Sequence, residues 1–400
     1  MTHDMAPSSV RQPRPADGRL FTNPVRVGFI GCGHVSAEYF QSCGMHREIE
    51  LLACTDLNSA LAEQQAERFK IPRVQSPEEL LSDPDVEIVV NLTPPTVHAD
   101  VSVAAIRAGK HVFSEKPLAT TLAQADRILA AAREAGVMVG CAPATFLGGP
   151  LQTLRKVIDD GWIGEPRAAA TFFSFRGGEY WHPNIDPFYA KGGGPMLDIG
   201  CYLISTLISV FGPASRVAAV AKRFSDTRPR PNGTPGVDDI IVEVSTHATG
   251  TIEFESGPVA TMITSWEMWA SRLPFIEIYG TQGTVSVPYD DVWGGQPVVR
   301  RGELGDLAYI PTRPGGGTWR EAPATHNNQA HRAVAIADMA SALRAGTPFR
   351  ANQDLAYHTL EIMLAFDESS ERNEHVPIQS TCERPPALLP VAAGQPVRFD

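Results

Sequence analysis

The sequence lacks the features that would point to a membrane, a nucleic acid or an oxidising compartment. Every apolar run is broken by charge or glycine before the roughly 18–20 residues that span a bilayer, and the N-terminal stretch has no apolar core typical of a signal peptide. The 34 lysines and arginines are outnumbered by 45 acidic residues, for a net charge of -11, which argues against nucleic acid as a partner. The six cysteines form no CxxC pair, and this pattern favours a reducing cytoplasm.

The chain is too long for one hydrophobic core, because single cores stop growing near about 250–300 residues and this chain has 400 residues. Residues 1–23 contain several prolines and little apolar content, which predicts a flexible arm. Residues 24–145 are predicted to form the first domain, and residues 146–400 a second one, for which substrate binding and oligomerisation are expected only from the family resemblance that the motifs carry.

Short apolar runs alternate with helical patterns in the first of these domains. The predicted strands are 25–30, 51–55, 86–91, 110–114 and 137–141, with helices between them, one of which is capped by Thr96. This alternation favours an α/β fold with a doubly wound parallel sheet, the Rossmann arrangement. Later strands are separated by turn residues at 248–250 and 280–283, which predict antiparallel neighbours in a second domain of α+β type with a large sheet.

A glycine-rich turn directly follows the first predicted strand and has the sequence Gly31-Cys32-Gly33-His34-Val35-Ser36. Gly31 permits a tight turn, Gly33 lets the backbone approach a pyrophosphate, and the N–H groups of the following helix attract its charge. Asp56 ends the second strand near the spacing at which an acid holds the adenosine 2′-hydroxyl. Because a carboxylate repels a 2′-phosphate, the pattern favours NAD over NADP. The alternatives are a plain structural turn and an acid that pairs with a helix dipole.

One lysine and one pair of helical side chains are the candidate catalytic groups. Lys116 follows the strand 110–114, and ligands of open α/β sheets bind at the carboxyl ends of strands, so Lys116 is expected in the cofactor crevice. Asp198 and Tyr202 are four residues apart, which places them on one face of a predicted helix. On its own, such a pair is also typical of a first-turn acid and a packing tyrosine.

Taken together, the motifs resemble the Gfo/Idh/MocA family of oxidoreductases. The segments that carry the resemblance are the glycine-rich turn, Thr93-Pro94-Pro95 with His98, Glu115-Lys116-Pro117, and Gly192-Gly193-Gly194 followed by Asp198 and Tyr202. The resemblance to the family extends over residues 24–372. One departure is Ser36 in place of a third glycine, where a small side chain still permits close helix–strand packing.

The resemblance implies a Rossmann domain followed by a domain with a large, mostly antiparallel open sheet, which often forms dimers or tetramers. It implies NAD or NADP as cofactor and a sugar, a cyclitol or a derivative as substrate. It makes Lys116 the catalytic lysine and Asp198 its substrate-binding partner. Many members have histidine where this chain has Tyr202, and tyrosine resembles the glucose–fructose oxidoreductase and dihydrodiol dehydrogenase branches. The cofactor contacts that it implies are Thr93, Pro94, Pro95, His98, Glu115 and Lys116.

A polar and aromatic loop precedes the helix of Asp198. Trp181 is expected to stack on a sugar face, and Arg176 and His182 to bind its oxygens, although a surface or interface loop would have the same composition. The position of Trp266 and Trp269 at the end of a predicted strand favours packing against the sheet over lining a pocket. The sequence has no HExxH motif and no Cys/His cluster, so no metal site is predicted.

Together with these residues, the resemblance implies hydride transfer between a sugar or cyclitol carbinol and NAD. Tyr202 is the candidate general base, because the Lys116 ammonium and the oxidised nicotinamide favour its phenolate. An alternative on the same scaffold is a redox-neutral glycosidase, which oxidises a sugar transiently at C3 and needs an added base, either His182 or Tyr202. A further alternative is a non-catalytic regulator that senses a sugar or cofactor. That reading predicts loss of the catalytic lysine, which is present here.

Overall fold

The computed structural model describes residues 23–182, 184–233, 236–302, 319–326 and 332–391. The predicted arm, except for residue 23, lies outside this part of the chain. The first sheet and its helices are β1 (Val25–Ile30), α1 (Ser36–Cys43), β2 (Ile49–Thr55), α2 (Ser59–Phe69), β3 (Arg73–Val74), α3 (Pro77–Ser82), β4 (Ile88–Asn91), α4 (His98–Arg107), β5 (His111–Ser114), α5 (Leu122–Ala135) and β6 (Val139–Cys141).

The first sheet has six parallel strands in the order β3-β2-β1-β4-β5-β6. This is the strand order of the Rossmann fold, and it confirms the predicted doubly wound sheet. Strands β1 and β4 are almost entirely buried, as expected for central strands covered on both faces. Because the strand order reverses between β1 and β4, a crevice opens at their carboxyl ends, where the glycine-rich turn and Thr93 lie.

One predicted helix start is wrong. Thr96 does not cap α4: it lies inside a single 3₁₀ turn, Pro95–Val97, and the α-helix begins at His98 without a side-chain cap. Proline fixes φ near the helical range but donates no N–H, so Pro95 starts a tight turn that precedes the α-helix. Thr121, by contrast, accepts a hydrogen bond from the Gln124 N–H and caps α5.

The second part of the chain builds a nine-stranded sheet. Its elements and their neighbours are α6 (Gly149–Asp159), β7 (Pro166–Ser174), α7 (Asp186–Tyr189), α8 (Cys201–Phe211), β8 (Ala214–Lys222), β9 (Thr227–Arg228), β10 (Ile240–Ile241), β11 (His247–Phe254), β12 (Val259–Ser265), β13 (Ile276–Gly280), β14 (Gly283–Val287), β15 (Val298–Arg301), β16 (Arg320–Glu321), α9 (Val334–Ala345), α10 (Gln353–Arg372) and β17 (Val376–Pro377).

This sheet runs in the order β16-β15-β14-β13-β7-β12-β11-β8-β17, and its neighbours are antiparallel except for β7 and β12. The prediction of a large, mostly antiparallel sheet is therefore confirmed. The predicted turn at 280–283 connects β13 to β14, but the one at 248–250 is wrong, because those residues lie within β11. The strand continues there because β11 has a hydrogen-bonded neighbour on each side.

Helices from the second part cover one face of the large sheet and also reach the first sheet. α8 packs against α10. α8 also contacts β7, and α10 also contacts β8. α9 packs against β2 and β6, although it follows the large sheet in sequence. Part of the chain after residue 146 therefore packs on the first sheet. The start of α9 lies beside the cofactor crevice. In the part of the chain that the structure describes, no helix has the length and apolar character needed to cross a membrane.

Candidate active site

The glycine-rich turn has the geometry that a dinucleotide site requires. Gly31 has φ of +104°, and a Cβ there would lie 2.8 Å from the Leu92 backbone, so only glycine fits. Gly33 is exposed, and a Cβ there would meet no atom within 4 Å, so its backbone faces open space in front of α1. The Ser36 hydroxyl donates to the Gly33 carbonyl (2.7 Å) and fixes the end of the turn. The turn thus offers free backbone and a helix N-terminus to an anion.

Asp56 lies at the end of β2, beside this turn. Its Oδ2 accepts a hydrogen bond from the Cys32 N–H (2.7 Å), and its Oδ1 accepts one from the Asn58 N–H (2.9 Å). The carboxylate is half-buried, and the Cys32 side chain is fully buried behind the turn. Cys32 therefore supports the turn, while Asp56 presents negative charge at its rim. Val35 is half-buried at the start of α1, and His34 is exposed.

The segment after β4 forms the other wall of the crevice. The Thr93 hydroxyl donates to Asn91 Oδ1 (2.6 Å), and Pro94 and Pro95 follow at the surface. His98 is fully buried, and its ring nitrogens lie 2.7 Å from the carbonyl oxygens of Pro117 and Thr93. Both ring nitrogens thus face backbone oxygens. His98 therefore links the Thr93 segment to the loop of Lys116, and its predicted contact with the cofactor stays a prediction.

Lys116 leaves the end of β5 and reaches across to the second part of the chain. Its Nζ lies 2.6 Å from Asp198 Oδ1 and 2.8 Å from the Asp198 carbonyl oxygen. Both side chains are 17% exposed, so the ion pair is shielded but open to a ligand. Lys116 Nζ also lies 5.4 Å from the centroid of the Tyr202 ring, which is buried. The structure therefore brings together all three predicted catalytic residues.

Asp198 and Tyr202 do not share a regular α-helical face as predicted. Met196–Gly200 forms a π-helical turn, and α8 begins only at Cys201. Such turns are rare and frequently occur at functional sites. In this turn the Asp198 backbone carbonyl, as well as its carboxylate, accepts from Lys116.

Electrostatics set the protonation of these groups. Burial alone would lower the pKa of Lys116, but Asp198 and Tyr202 raise it well above the usual value. Burial raises the pKa of Tyr202 to about 12, although Lys116 and Arg332 lower it. Lys116 lowers the pKa of Tyr202, as expected, but in the protein without cofactor burial raises this pKa by more than Lys116 lowers it. At neutral pH the site thus holds a lysine ammonium and a neutral phenol.

The predicted substrate loop folds over the same centre. The His182 ring lies 6.2 Å from the His34 ring in the glycine-rich turn, so the loop reaches the cofactor crevice. Burial lowers the pKa of His182, and its Nδ1 accepts from the Asn184 N–H (3.2 Å), which leaves the proton on Nε2. Trp181 is 60% exposed and packs against the rings of His182 and Phe175. Its remaining surface is available to a ligand.

A buried ion pair anchors this loop. Glu179 Oε1 accepts from Arg228 Nη2 (2.8 Å), and Glu179 Oε2 accepts from the Tyr189 hydroxyl (2.7 Å). Arg228 also donates to the Arg176 carbonyl (2.9 Å), and the Arg176 guanidinium stacks on Trp269 at 3.6 Å. Trp266 is buried, as expected for a residue that packs against the sheet. Trp269 is 79% exposed, so it does not pack in this way.

Several groups around the centre were not predicted from the sequence. Tyr39 and Arg332 contact Glu115, while the Phe173 ring lies beside the Tyr202 ring and in turn packs against Tyr289. The residues on either side of each in the sequence form no motif, and each reaches the site through contacts with residues distant in the chain. Within the described ranges no group of three or more histidine, cysteine or acidic residues could hold a metal ion.

Comparison with known proteins agrees with this geometry. Residues 25–142 match a family model described as "Oxidoreductase family, NAD-binding Rossmann fold", and residues 151–286 match the GFO/IDH/MocA C-terminal domain. The chain belongs to the Gfo/Idh/MocA family. Membership confirms the resemblance on which the catalytic residues were chosen, and the family description confirms NAD as the cofactor. In this family member, the open backbone at Gly33, the N-terminus of α1 and Asp56 would hold the dinucleotide.

Relatives of this Gfo/Idh/MocA protein include an enzyme named for a sugar and one named for a diol. It is 34% identical over 218 residues to the 1,5-anhydro-D-fructose reductase of Ensifer adhaerens, a match that covers 53% of this chain and 60% of the reductase, less than two thirds of its length. It is 26% identical over 296 residues to the trans-1,2-dihydrobenzene-1,2-diol dehydrogenase of Bos taurus, covering 73% of this chain and 82% of that enzyme. The solved structure of levoglucosan dehydrogenase with NADH and levoglucosan has a TM-score of 0.74 at 22% identity, covers 90% of this chain and 100% of the other, and shows a shared fold.

Asp56 is expected to decide between NAD and NADP in this Gfo/Idh/MocA protein. The variant Asp56→Asn keeps an acceptor for the Cys32 N–H but removes the charge that repels a 2′-phosphate. We expect it to lose most of the preference for NADH over NADPH, a change of about tenfold or more in the ratio of dissociation constants, since a charged hydrogen bond contributes about 1.5–3 kcal/mol. Titration of protein fluorescence with each cofactor measures the ratio. An unchanged ratio would remove Asp56 from cofactor selection.

Proposed function

We propose that this protein is an NAD(H)-dependent oxidoreductase that transfers a hydride between nicotinamide and a carbinol of a sugar or cyclitol. The observation that carries the proposal is the shielded Lys116–Asp198 ion pair beside Tyr202, at the carboxyl end of β5. In an open α/β sheet this end faces the cofactor crevice. The position therefore lets a substrate oxygen meet Lys116 while the carbon that carries it faces the nicotinamide.

Each of the three side chains has a distinct task in the proposed reaction. When bound, NAD accepts the hydride from a carbinol or NADH donates it to a carbonyl. Lys116 donates a hydrogen bond to the reacting oxygen and stabilises negative charge that develops there. Tyr202 takes the hydroxyl proton during oxidation and returns it during reduction. Asp198 orients the Lys116 ammonium and accepts a hydrogen bond from a neighbouring hydroxyl of the substrate.

Two features support a carbohydrate as substrate. The relatives include a 1,5-anhydro-D-fructose reductase, and the neighbour in fold was solved with levoglucosan. The loop over the centre presents the exposed face of Trp181 and the Nε2–H of His182, which suit the apolar face and an oxygen of a sugar ring. A neutral His182 that already accepts at Nδ1 is a donor to substrate rather than an added base. Tyr202 already handles the carbinol proton in the proposed reaction, so neither candidate is left as the added base, and the arrangement favours simple redox chemistry over the glycosidase alternative.

We also propose that the enzyme works as a homodimer or homotetramer in the cytoplasm. Strand residues Val220, Val259 and Tyr279, which are more than a third exposed, lie on the large sheet and would be covered by a second copy. All six cysteines are buried free thiols, which suits a reducing compartment. Light scattering of the purified protein tests the oligomeric state.

The deciding experiment measures NADH absorbance and aglycone release in the same wells. The purified protein is given NAD⁺ with free sugars, cyclitols and aryl glycosides, and NADH with keto sugars that include 1,5-anhydro-D-fructose. Formation or loss of NADH with a free sugar is the expected result. Aglycone release without net NADH would establish the redox-neutral glycosidase instead. No turnover in any well, with NADH bound, would favour the sensing regulator.

A further inference from the structure

Glu115 is a buried carboxylate that touches the catalytic loop on one side and the cofactor helix on the other. Its side chain is 9% exposed. Oε2 accepts from the Lys116 backbone N–H (2.9 Å), and Oε1 accepts from the Tyr39 hydroxyl on α1 (2.7 Å). Burial would raise the pKa of Glu115, but Arg332 and Lys116 outweigh burial and lower it. A charged carboxylate in this place depends on a nearby cation.

Arg332 supplies positive charge to this carboxylate and to another. Its Nη1 lies 3.6 Å from Glu115 Oε1, and its Nε donates to Glu38 Oε2. Glu38 stands in the first turn of α1, directly after the glycine-rich turn. A carboxylate at this helix N-terminus competes with any anion that binds there, and a paired arginine removes much of that competition.

The backbone fixes the position of Arg332. The N–H of the next residue, Ala333, donates to Ser42 Oγ of α1 (2.8 Å), and this contact is buried. α9 begins one residue later and packs against β2 and β6. The Arg332 side chain is 22% exposed, so its guanidinium is held between α1 and the catalytic loop rather than free in solvent.

We propose that Arg332 is a positioning residue of this enzyme, which couples the cofactor helix α1 to the catalytic loop by neutralising Glu38 and Glu115 with one guanidinium. Because Arg332 pairs with the Glu38 carboxylate, the helix N-terminus is left to the pyrophosphate of the cofactor. A fixed Glu115 holds the backbone at Lys116, and therefore the position of its ammonium. The effect on turnover rests on the proposed function, whereas the effect on cofactor binding needs only that the chain binds NADH.

The first test uses NADH binding alone, measured by fluorescence titration. Arg332→Gln is expected to raise the NADH dissociation constant about fivefold, in line with the roughly 0.3–1 kcal/mol that a charge at a helix terminus contributes. The double variant Arg332→Gln/Glu38→Gln should recover most of this loss, because the uncompensated carboxylate is gone. Arg332→Lys, which keeps the charge, should bind NADH more tightly than Arg332→Gln.

A matched control separates this role from a structural one. Arg344, at the other end of α9, pairs with Glu87 at 2.8 Å and is 24% exposed, much like Arg332. Arg344→Gln should lower the melting temperature without changing NADH affinity. Equal NADH affinity in Arg332→Gln and wild type, or no recovery in the double variant, would overturn the proposal. If Arg332→Gln does not fold, Arg332→Met takes its place, because its side chain fills similar space without a charge: affinity that is weaker than wild type and restored by Glu38→Gln supports the proposal, and unaltered affinity contradicts it.

The second test measures turnover with a sugar found to be a substrate. Arg332→Gln should lower kcat about tenfold or more, since a displacement of about 1 Å at a reacting group can cost 10²-fold. Glu115→Gln removes the same link, so adding Arg332→Gln to it should lower kcat little further. If the losses in kcat from the two substitutions add up in the double variant, Arg332 does not act through Glu115. If wild type binds NADH but turns over no sugar, the proposed function fails and the binding test still decides the role of Arg332.

Discussion

Lys116→Ala is expected to lower kcat at least about 10²-fold while NADH binding is largely retained, because the loss of a group that serves acid–base chemistry typically costs 10²–10⁴-fold. The ammonium is the only group shown to contact Asp198 Oδ1 within the described residues, so the substitution also leaves that shielded carboxylate without its cation. The substrate oxygen then loses its hydrogen-bond donor, and Asp198 loses its fixed orientation.

A matched pair of variants shows whether the effect is chemical. Lys116→Arg keeps the charge but places it differently, since a guanidinium is larger and planar, and it should restore only part of the rate. Asp198→Asn should weaken substrate binding as well as turnover. Near-normal turnover in Lys116→Ala, with NADH binding unchanged, would remove Lys116 from the mechanism.

Tyr202→Phe is expected to have a comparable effect, with a loss of at least about 10²-fold in kcat. The pH dependence follows from the raised pKa of the phenol, which is about 12 in the protein without cofactor. Oxidation needs the deprotonated form, so its rate should rise with pH through the range in which the protein is stable. Reduction needs the neutral phenol, which is present throughout, so its rate should be level with pH as far as Tyr202 is concerned.

The comparison that checks this prediction is the pair of pH profiles in wild type and Tyr202→Phe. The rise of the oxidation rate with pH should be lost in the variant, together with most of the activity. Oxidised nicotinamide adds positive charge, which should bring the apparent pKa below the value without cofactor. A variant that keeps both the rate and the alkaline rise would assign proton transfer to another group.

The first sheet could be predicted because its signals are local. Buried strands read as short apolar runs, the glycine-rich turn stands at the end of the first of them, and Lys116 follows a later one. Each of these features depends on residues close together in the chain. The cofactor end of the site and the position of Lys116 therefore followed from the sequence.

Other parts of the structure depend on packing between distant residues. The sequence predicts a turn at Gly250, yet this residue lies within β11, where a Cβ would come within 2.6 Å of the Ala218 carbonyl oxygen on β8 and within 2.9 Å of the Phe366 ring on α10. Glycine is there because the neighbouring strand and the helix approach closely, not because the chain turns. The π-helical turn at Asp198 changes its relation to Tyr202, and nothing in the local pattern indicates it. Arg332 joins Glu38 and Glu115 across most of the chain, so no motif could reveal the contact.

The central claim is that hydride passes between nicotinamide and a sugar carbon at the site of Lys116, Asp198 and Tyr202. The most direct measurement uses NADH with deuterium at both C4 positions of the nicotinamide and a panel of keto sugars, followed by mass spectrometry and NMR of the products. We expect one deuterium on the new carbinol carbon with wild type, and almost none at equal enzyme concentration with Lys116→Ala or Tyr202→Phe. Oxidation of NADH that leaves no deuterium on any product carbon would contradict the claim.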